Sequence, residues 1–96
     1  MKVIKSDGRY KFFNQGFNVI LEFSLRDREE SRQYATIFGL IEEMFGLHRQ
    51  FDQKTSLYKF NENYRVATTS TKRSGKRRIY LKNETEVSLI LLKVNF

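Results

Sequence analysis

Every odd position from 17 to 25 is apolar (Phe17, Val19, Leu21, Phe23, Leu25), whereas Asn18, Glu22 and Ser24 hold most of the even ones. A period of two is the pattern of a half-buried strand. The period then lengthens. Tyr34, Ile37, Phe38, Ile41, Met44 and Phe45 fall at helical spacing and form one stripe. Asp27-Arg28-Glu29-Glu30 before them resembles a capping box, an Asx N-cap with Glu three residues on. Gly46 stops the helix where a left-handed residue is cheap, and Leu47 can fold back on it. These signals predict a helix over about 28–45.

Upstream, Val3-Ile4 and Tyr10, Phe12 and Phe13 flank Ser6-Asp7-Gly8-Arg9. Asp-Gly suits a tight turn, so residues 2–13 are expected to open with a hairpin, broken at Asn14-Gln15-Gly16. Downstream, short strands are expected near 55–60, 64–71, 77–82 and 86–94. Turns at Asn61-Glu62-Asn63, at 72–76 and at Asn83-Glu84 separate them. Residues 86–94 are apolar on both sides and read as a central or interface strand. Together these elements predict one α+β domain over 1–96. It has an N-terminal β-hairpin or strands, one long amphipathic helix, and a C-terminal antiparallel β-meander, with the helix on one sheet face.

Composition narrows the chemistry. The 96 residues support a single core, and nine Phe and five Tyr exclude a disordered tail. The absence of Cys removes disulfides and thiolate sites, and one histidine cannot build a zinc centre. No apolar run reaches the roughly 18 residues of a membrane span, and the first five residues do not read as a signal peptide. A soluble cytoplasmic protein with no membrane partner is expected. No cofactor is implied: the five glycines show no phosphate-cradling spacing. His48 lies just past the predicted helix, where a surface or capping role is expected rather than that of a catalytic base. Of the paired carboxylates, Glu29-Glu30 sit at the positive end of the helix. That leaves Glu42-Glu43, in the stretch IFGLIEEMFG, as the one catalytic candidate.

Around that stretch the chain resembles a known family. Residues 17–25, then Asp27, then Tyr34, Ile37, Leu40, Ile41, Phe45 and Gly46, then Tyr64-Arg65-Val66 are similar to part of the LAGLIDADG homing endonuclease fold. The resemblance covers 10–71 and implies half of a saddle-shaped domain running strand, strand, helix, strand, strand, as well as a homodimer. The family's defining helix precedes its first strand and ends in an acid that binds the catalytic metal. This sequence begins almost directly with a strand, which leaves no room for that helix. Laid on the motif, IFGLIEEMFG puts Met44 where the metal-binding acid belongs, and Phe38 and Phe45 where small residues are needed. A thioether does not replace a carboxylate on a hard cation. The stretch therefore reads as the end of a core-packing helix, and no metal-dependent nuclease is expected.

The charge is more informative. The net charge is +7, but residues 49–82 alone carry a net +8 and the remainder a net −1. Such concentration is the footprint of a polyanion-binding surface. Residues 64–82 can pair as a hairpin whose turn contains Lys72, Arg73, Ser74, Gly75 and Lys76. Alternation sends Ile79 and Leu81, with Tyr64, Val66 and Thr68, to the core, and Arg65, Ala67, Thr69, Arg78, Tyr80 and Lys82 outward. The expected nucleic-acid-binding set is Arg65, Thr69, Lys72, Arg73, Lys76, Arg77, Arg78, Tyr80 and Lys82, with cations for phosphates and Tyr80 for stacking. A basic β-ribbon suits DNA or RNA. The expected function is non-enzymatic binding of nucleic acid, mostly through its backbone. Two other readings are a phage or mobile-element inhibitor of a host-defence or other nucleoprotein complex (anti-CRISPR-like) and a ribosomal or nucleoprotein structural component. A third is a degenerate nuclease half.

Overall fold

The computed structural model describes residues 1–70 and 75–94. Strands β1 (Lys2–Lys5), β2 (Val19–Ser24), β5 (Tyr64–Ser70) and β6 (Gly75–Leu81) form an antiparallel sheet in the order β1-β2-β6-β5. Helix α1 (Arg28–Phe45) follows β2, and a separate two-stranded sheet of β3 (Arg49–Asp52) and β4 (Leu57–Phe60) lies between α1 and β5. Helix α2 (Glu84–Lys93) ends the described chain. The architecture is α+β, with α1 on one sheet face.

Alternation explains the layering. Val19, Leu21 and Phe23 of β2 and Ile79 and Leu81 of β6 project to one side. There they close a core with Ile37 and Ile41 of α1, Tyr64 of β5, and Val87 and Ile90 of α2. The helix stripe lies against this core, Ile37 and Ile41 fully buried and Tyr34, Phe38, Met44 and Phe45 packing around them. At the helix start the Asp27 carboxylate accepts from the Glu29 and Glu30 amides at 2.9 and 3.2 Å, so two orphan donors are satisfied.

Two expected elements differ. Residues 10–13 form no strand. Instead β1 pairs directly with β2 (Lys2 opposite Glu22, Lys5 opposite Val19), and the intervening chain carries a 3-10 turn over Phe13–Gln15. Asp7 makes a local turn, its carboxylate accepting from the Arg9 amide at 2.9 Å, but no strand returns from it. The chain goes instead to the sheet face opposite α1, where Phe12 and Phe17 pack with Ile20 and Tyr80 in a second small core. There the rings of Tyr10, Phe12 and Phe17 cover the apolar positions Ile20 and Tyr80.

Residues 86–94 do not form a strand. Residues 86–93 belong to α2, with Val94 as its extended C-cap; Val87 and Ile90 are buried and Leu89 and Leu92 face solvent. Asn83 caps it by accepting from the Glu86 amide at 3.0 Å, while the Glu86 carboxylate accepts from the Lys82 amide at 3.2 Å. Among the described residues no helix is long and apolar enough to cross a membrane.

Candidate nucleic-acid interface

The basic hairpin is β5–β6, paired from Tyr64 opposite Leu81 to Ser70 opposite Gly75. On its face away from α1, Arg65 lies opposite Tyr80, Ala67 opposite Arg78 and Thr69 opposite Lys76. The next strand places Glu22 opposite Arg78 and Ile20 opposite Tyr80. Charged and apolar residues therefore divide this face into two halves.

The charged half is built on Glu22. Its carboxylate is buried and accepts from Arg78 Nε at 2.8 Å and from Lys76 Nζ at 3.1 Å. Burial alone would raise the Glu22 pKa, but the hydrogen bonds from Lys76 and Arg78 outweigh it and hold the carboxyl below its ordinary value. Lys76 stays 45% exposed, whereas Arg78 is more enclosed at 23% and has the Tyr10 ring 5.5 Å from its guanidinium. Exposed Thr69 adds a hydroxyl beside them, donating to the Lys76 carbonyl at 3.4 Å. Arg77 points to the other face, 5.0 Å from the Tyr34 ring, and is exposed. Lys72 and Arg73 lie outside the described residues.

The other half departs from expectation at Tyr80. Tyr80 does point away from α1, but it is 1% exposed because Phe12 sits edge-on against it at 4.9 Å. Its ring is a core residue and is closed to a stacked base. Arg65 is also engaged within the protein. Its guanidinium stands 5.0 Å from the Phe17 ring and 5.9 Å from Phe60, and donates to the carbonyls of Asn61 and Tyr64. Lys82 is half-buried with its ammonium 5.9 Å from Phe17. The structure thus brings Thr69, Lys76 and Arg78 together at the hairpin tip, sets Arg65, Tyr80 and Lys82 against a second core, and turns Arg77 to the reverse face.

Known proteins offer no guide. The chain matches no protein-family model, no curated protein and no solved structure.

Sequence reasoning passed over Glu22, treating it as one more polar position on a strand; its signal was a lone carboxylate among hydrophobic neighbours facing a chain rich in cations. It expected a strand near 55–60, which is β4, but not β3, and gave neither a role in binding. Phe51, Tyr58 and Phe60 there alternate with polar residues, a signal that was present.

His48 sits at the base of those strands, between the rings of Phe60 at 5.5 Å and Tyr64 at 5.8 Å. Burial first, then the positive charges of Arg49 and Arg65, push its pKa below the ordinary histidine value, against a small opposing pull from Glu42. The folded state thus resists protonation of His48 more than the unfolded chain does. Stability is then expected to fall as the solution is acidified through about pH 6.5, the ordinary histidine value. His48→Gln should flatten that slope in urea titrations at successive pH values; an unchanged slope would place the titrating group elsewhere.

Proposed function

We propose that this protein binds nucleic acid without cleaving it, chiefly by phosphate contacts at the tip of the β5–β6 hairpin. The observation that carries this reading is the charge ratio on β6. Lys76, Arg77 and Arg78 follow one another, and among the described residues the Glu22 carboxylate pairs with Lys76 and Arg78. Positive charge therefore remains after internal pairing, at a tip where the sequence adds Lys72 and Arg73. Phosphate contacts of this kind give affinity that weakens steeply with salt and carries little sequence information.

Titrations against single-stranded DNA, duplex DNA and duplex RNA at two salt concentrations test the proposal. The informative variant is Lys72→Gln/Arg73→Gln/Arg77→Gln, which leaves the Glu22 ion pairs intact. Each lost phosphate contact should lower the log–log salt slope by about 0.7–0.9, so three should lower it by about 2–3 units. The melting temperature should stay near wild type: Arg77 is exposed, and surface substitutions change stability by less than about 0.5 kcal/mol each. Oligonucleotides incubated with magnesium and the protein should be recovered intact. Unaltered affinity and slope in this variant would move the interface elsewhere. A wild-type protein that binds no nucleic acid, and keeps a protein partner through nuclease treatment, would give the inhibitor reading its place.

A further inference from the structure

The β3–β4 hairpin stands out from the core as an arm: every residue in both strands is exposed. Its register sets Arg49 opposite Phe60 and Phe51 opposite Tyr58, and in an antiparallel ladder such partners share a face. One face of the arm therefore carries three aromatic rings and a guanidinium. Phe51, Tyr58 and Phe60 are 54%, 53% and 46% exposed, far from the burial that aromatic rings usually find. The Phe51 and Tyr58 rings meet edge-on at 5.3 Å, and the Arg49 guanidinium lies 4.6 Å from Tyr58. A guanidinium stacked on a ring still presents its N–H edge to an anion.

The arm is also held in place. Asn61 Nδ2 donates to the Phe45 carbonyl at 2.8 Å and to the Leu47 carbonyl at 3.2 Å, and the Asn61 amide donates to the His48 carbonyl at 2.8 Å. At its base the aromatic face continues into a cavity of about 250 Å³ lined by Phe12, His48, Phe60 and Arg65. Rings and cations thus alternate from the arm to the edge of the main sheet.

We propose that the aromatic face of the β3–β4 arm is a stacking platform for the unpaired bases of a single-stranded nucleic acid. This rests on the phosphate-binding reading above and adds to it the form of the ligand. Stacking on a side chain needs an open base face, which a single strand offers and a duplex does not; every base has such a face, so the platform tolerates any sequence. Charge separates this occupant from a second copy of the chain. The arm as a whole is net positive, with Arg49, Lys54 and Lys59 against Asp52, and Arg49 lies on the aromatic face itself, so two arms laid together would bring like charges close, while a phosphate backbone would meet opposite ones.

Fluorescence anisotropy with labelled oligo(dT) and oligo(U) of about 20 nucleotides, and with a duplex of equal length, tests it. Site sizes of such surfaces, about 4–16 nucleotides, fit within that length. Phe51→Ala/Tyr58→Ala should weaken binding to both single strands by roughly 25-fold or more, at least about 5-fold per ring, with an unchanged salt slope and unchanged duplex affinity. Tyr58→Phe, which keeps the ring, should bind like wild type, and circular dichroism should show both variants folded. Wild-type single-strand affinity in the double variant would overturn the platform. So would an equal loss on duplex, or a wild-type dimer in sedimentation that the double variant splits. If Lys72→Gln/Arg73→Gln/Arg77→Gln loses binding while Phe51→Ala/Tyr58→Ala does not, the platform falls and the phosphate-binding reading stands. If wild type binds no oligonucleotide at all, both fall.

Discussion

Replacing Lys76 and Arg78 together by Gln should lower folding stability by about 3 kcal/mol, although both residues lie on the solvent side of the sheet. Glu22 is the reason. It sits on β2, inside the four-stranded sheet, at 5% exposure, and these two cations supply its ion pairs. Removing them leaves a buried carboxylate without a counter-charge, which typically costs about 3–5 kcal/mol. The lower end applies here because Lys76 is 45% exposed and water can reach its side of the pair. Adding Glu22→Gln to the double variant should recover most of the loss, since the uncompensated charge is gone. The sign of the pH dependence gives an independent check. In wild type the folded pKa of Glu22 is held below its ordinary value, so the stabilisation is complete above the unfolded value and fades as pH falls through the folded one. In the double variant burial acts unopposed and raises the pKa, so acid favours that fold. The stabilities of the two proteins should therefore converge toward low pH in urea titrations. A constant gap would show that Glu22 is not the source of the effect.

Ile41→Ala should be as damaging for a different reason. Ile41 is fully buried at the centre of the contact between α1 and the sheet, near Ile37, Tyr64 and Ile79 in one cluster. Truncation there removes apolar burial and leaves a cavity that the helix and sheet can only partly close, at about 2–5 kcal/mol. Phe45, one turn further on, is only half-buried and meets Tyr64 at 6.3 Å, so Phe45→Ala should cost less. Chemical denaturation measures both. An Ile41→Ala protein as stable as wild type would contradict the packing of α1 on the sheet.

Helix α1 was legible because three independent signals agree there: the capping residue Asp27, the stripe through Ile37 and Ile41, and the stop at Gly46. The sides of β5 and β6 were legible for the same reason that any strand's are, since alternation has no other solution. Alternation assigns a side, however, and not what covers it. That is why Tyr80 was expected to be open, and why only the path of Phe12 and Phe17 across the sheet reveals it as core. The C-terminal segment was misread on length. Four apolar residues from Leu89 to Leu92 suit a strand, yet Asn83 with Glu86 three residues on repeats the Asp27–Glu30 signature that marks α1. The N-terminal error is of the same kind, a turn signal at Asp7-Gly8 that makes a real turn without a hairpin around it. At the candidate interface, sequence showed where the positive charge is but not that Glu22 neutralises part of it.

Asn61 bears on how the molecule opens. A two-stranded hairpin is marginal in water by itself, and the strands of this one bury no residue of their own. What holds it is concentrated at its root, in the Asn61 amide group and in the Tyr64 hydroxyl that donates to the Gly46 carbonyl at 2.8 Å. The arm is therefore expected to open as a unit separate from the core, at a free energy below that of global unfolding. Its backbone amides are expected to exchange with solvent deuterium before those of β2 and β6. A ligand on its rings would then order a part of the protein that can open while the rest of the fold stays closed.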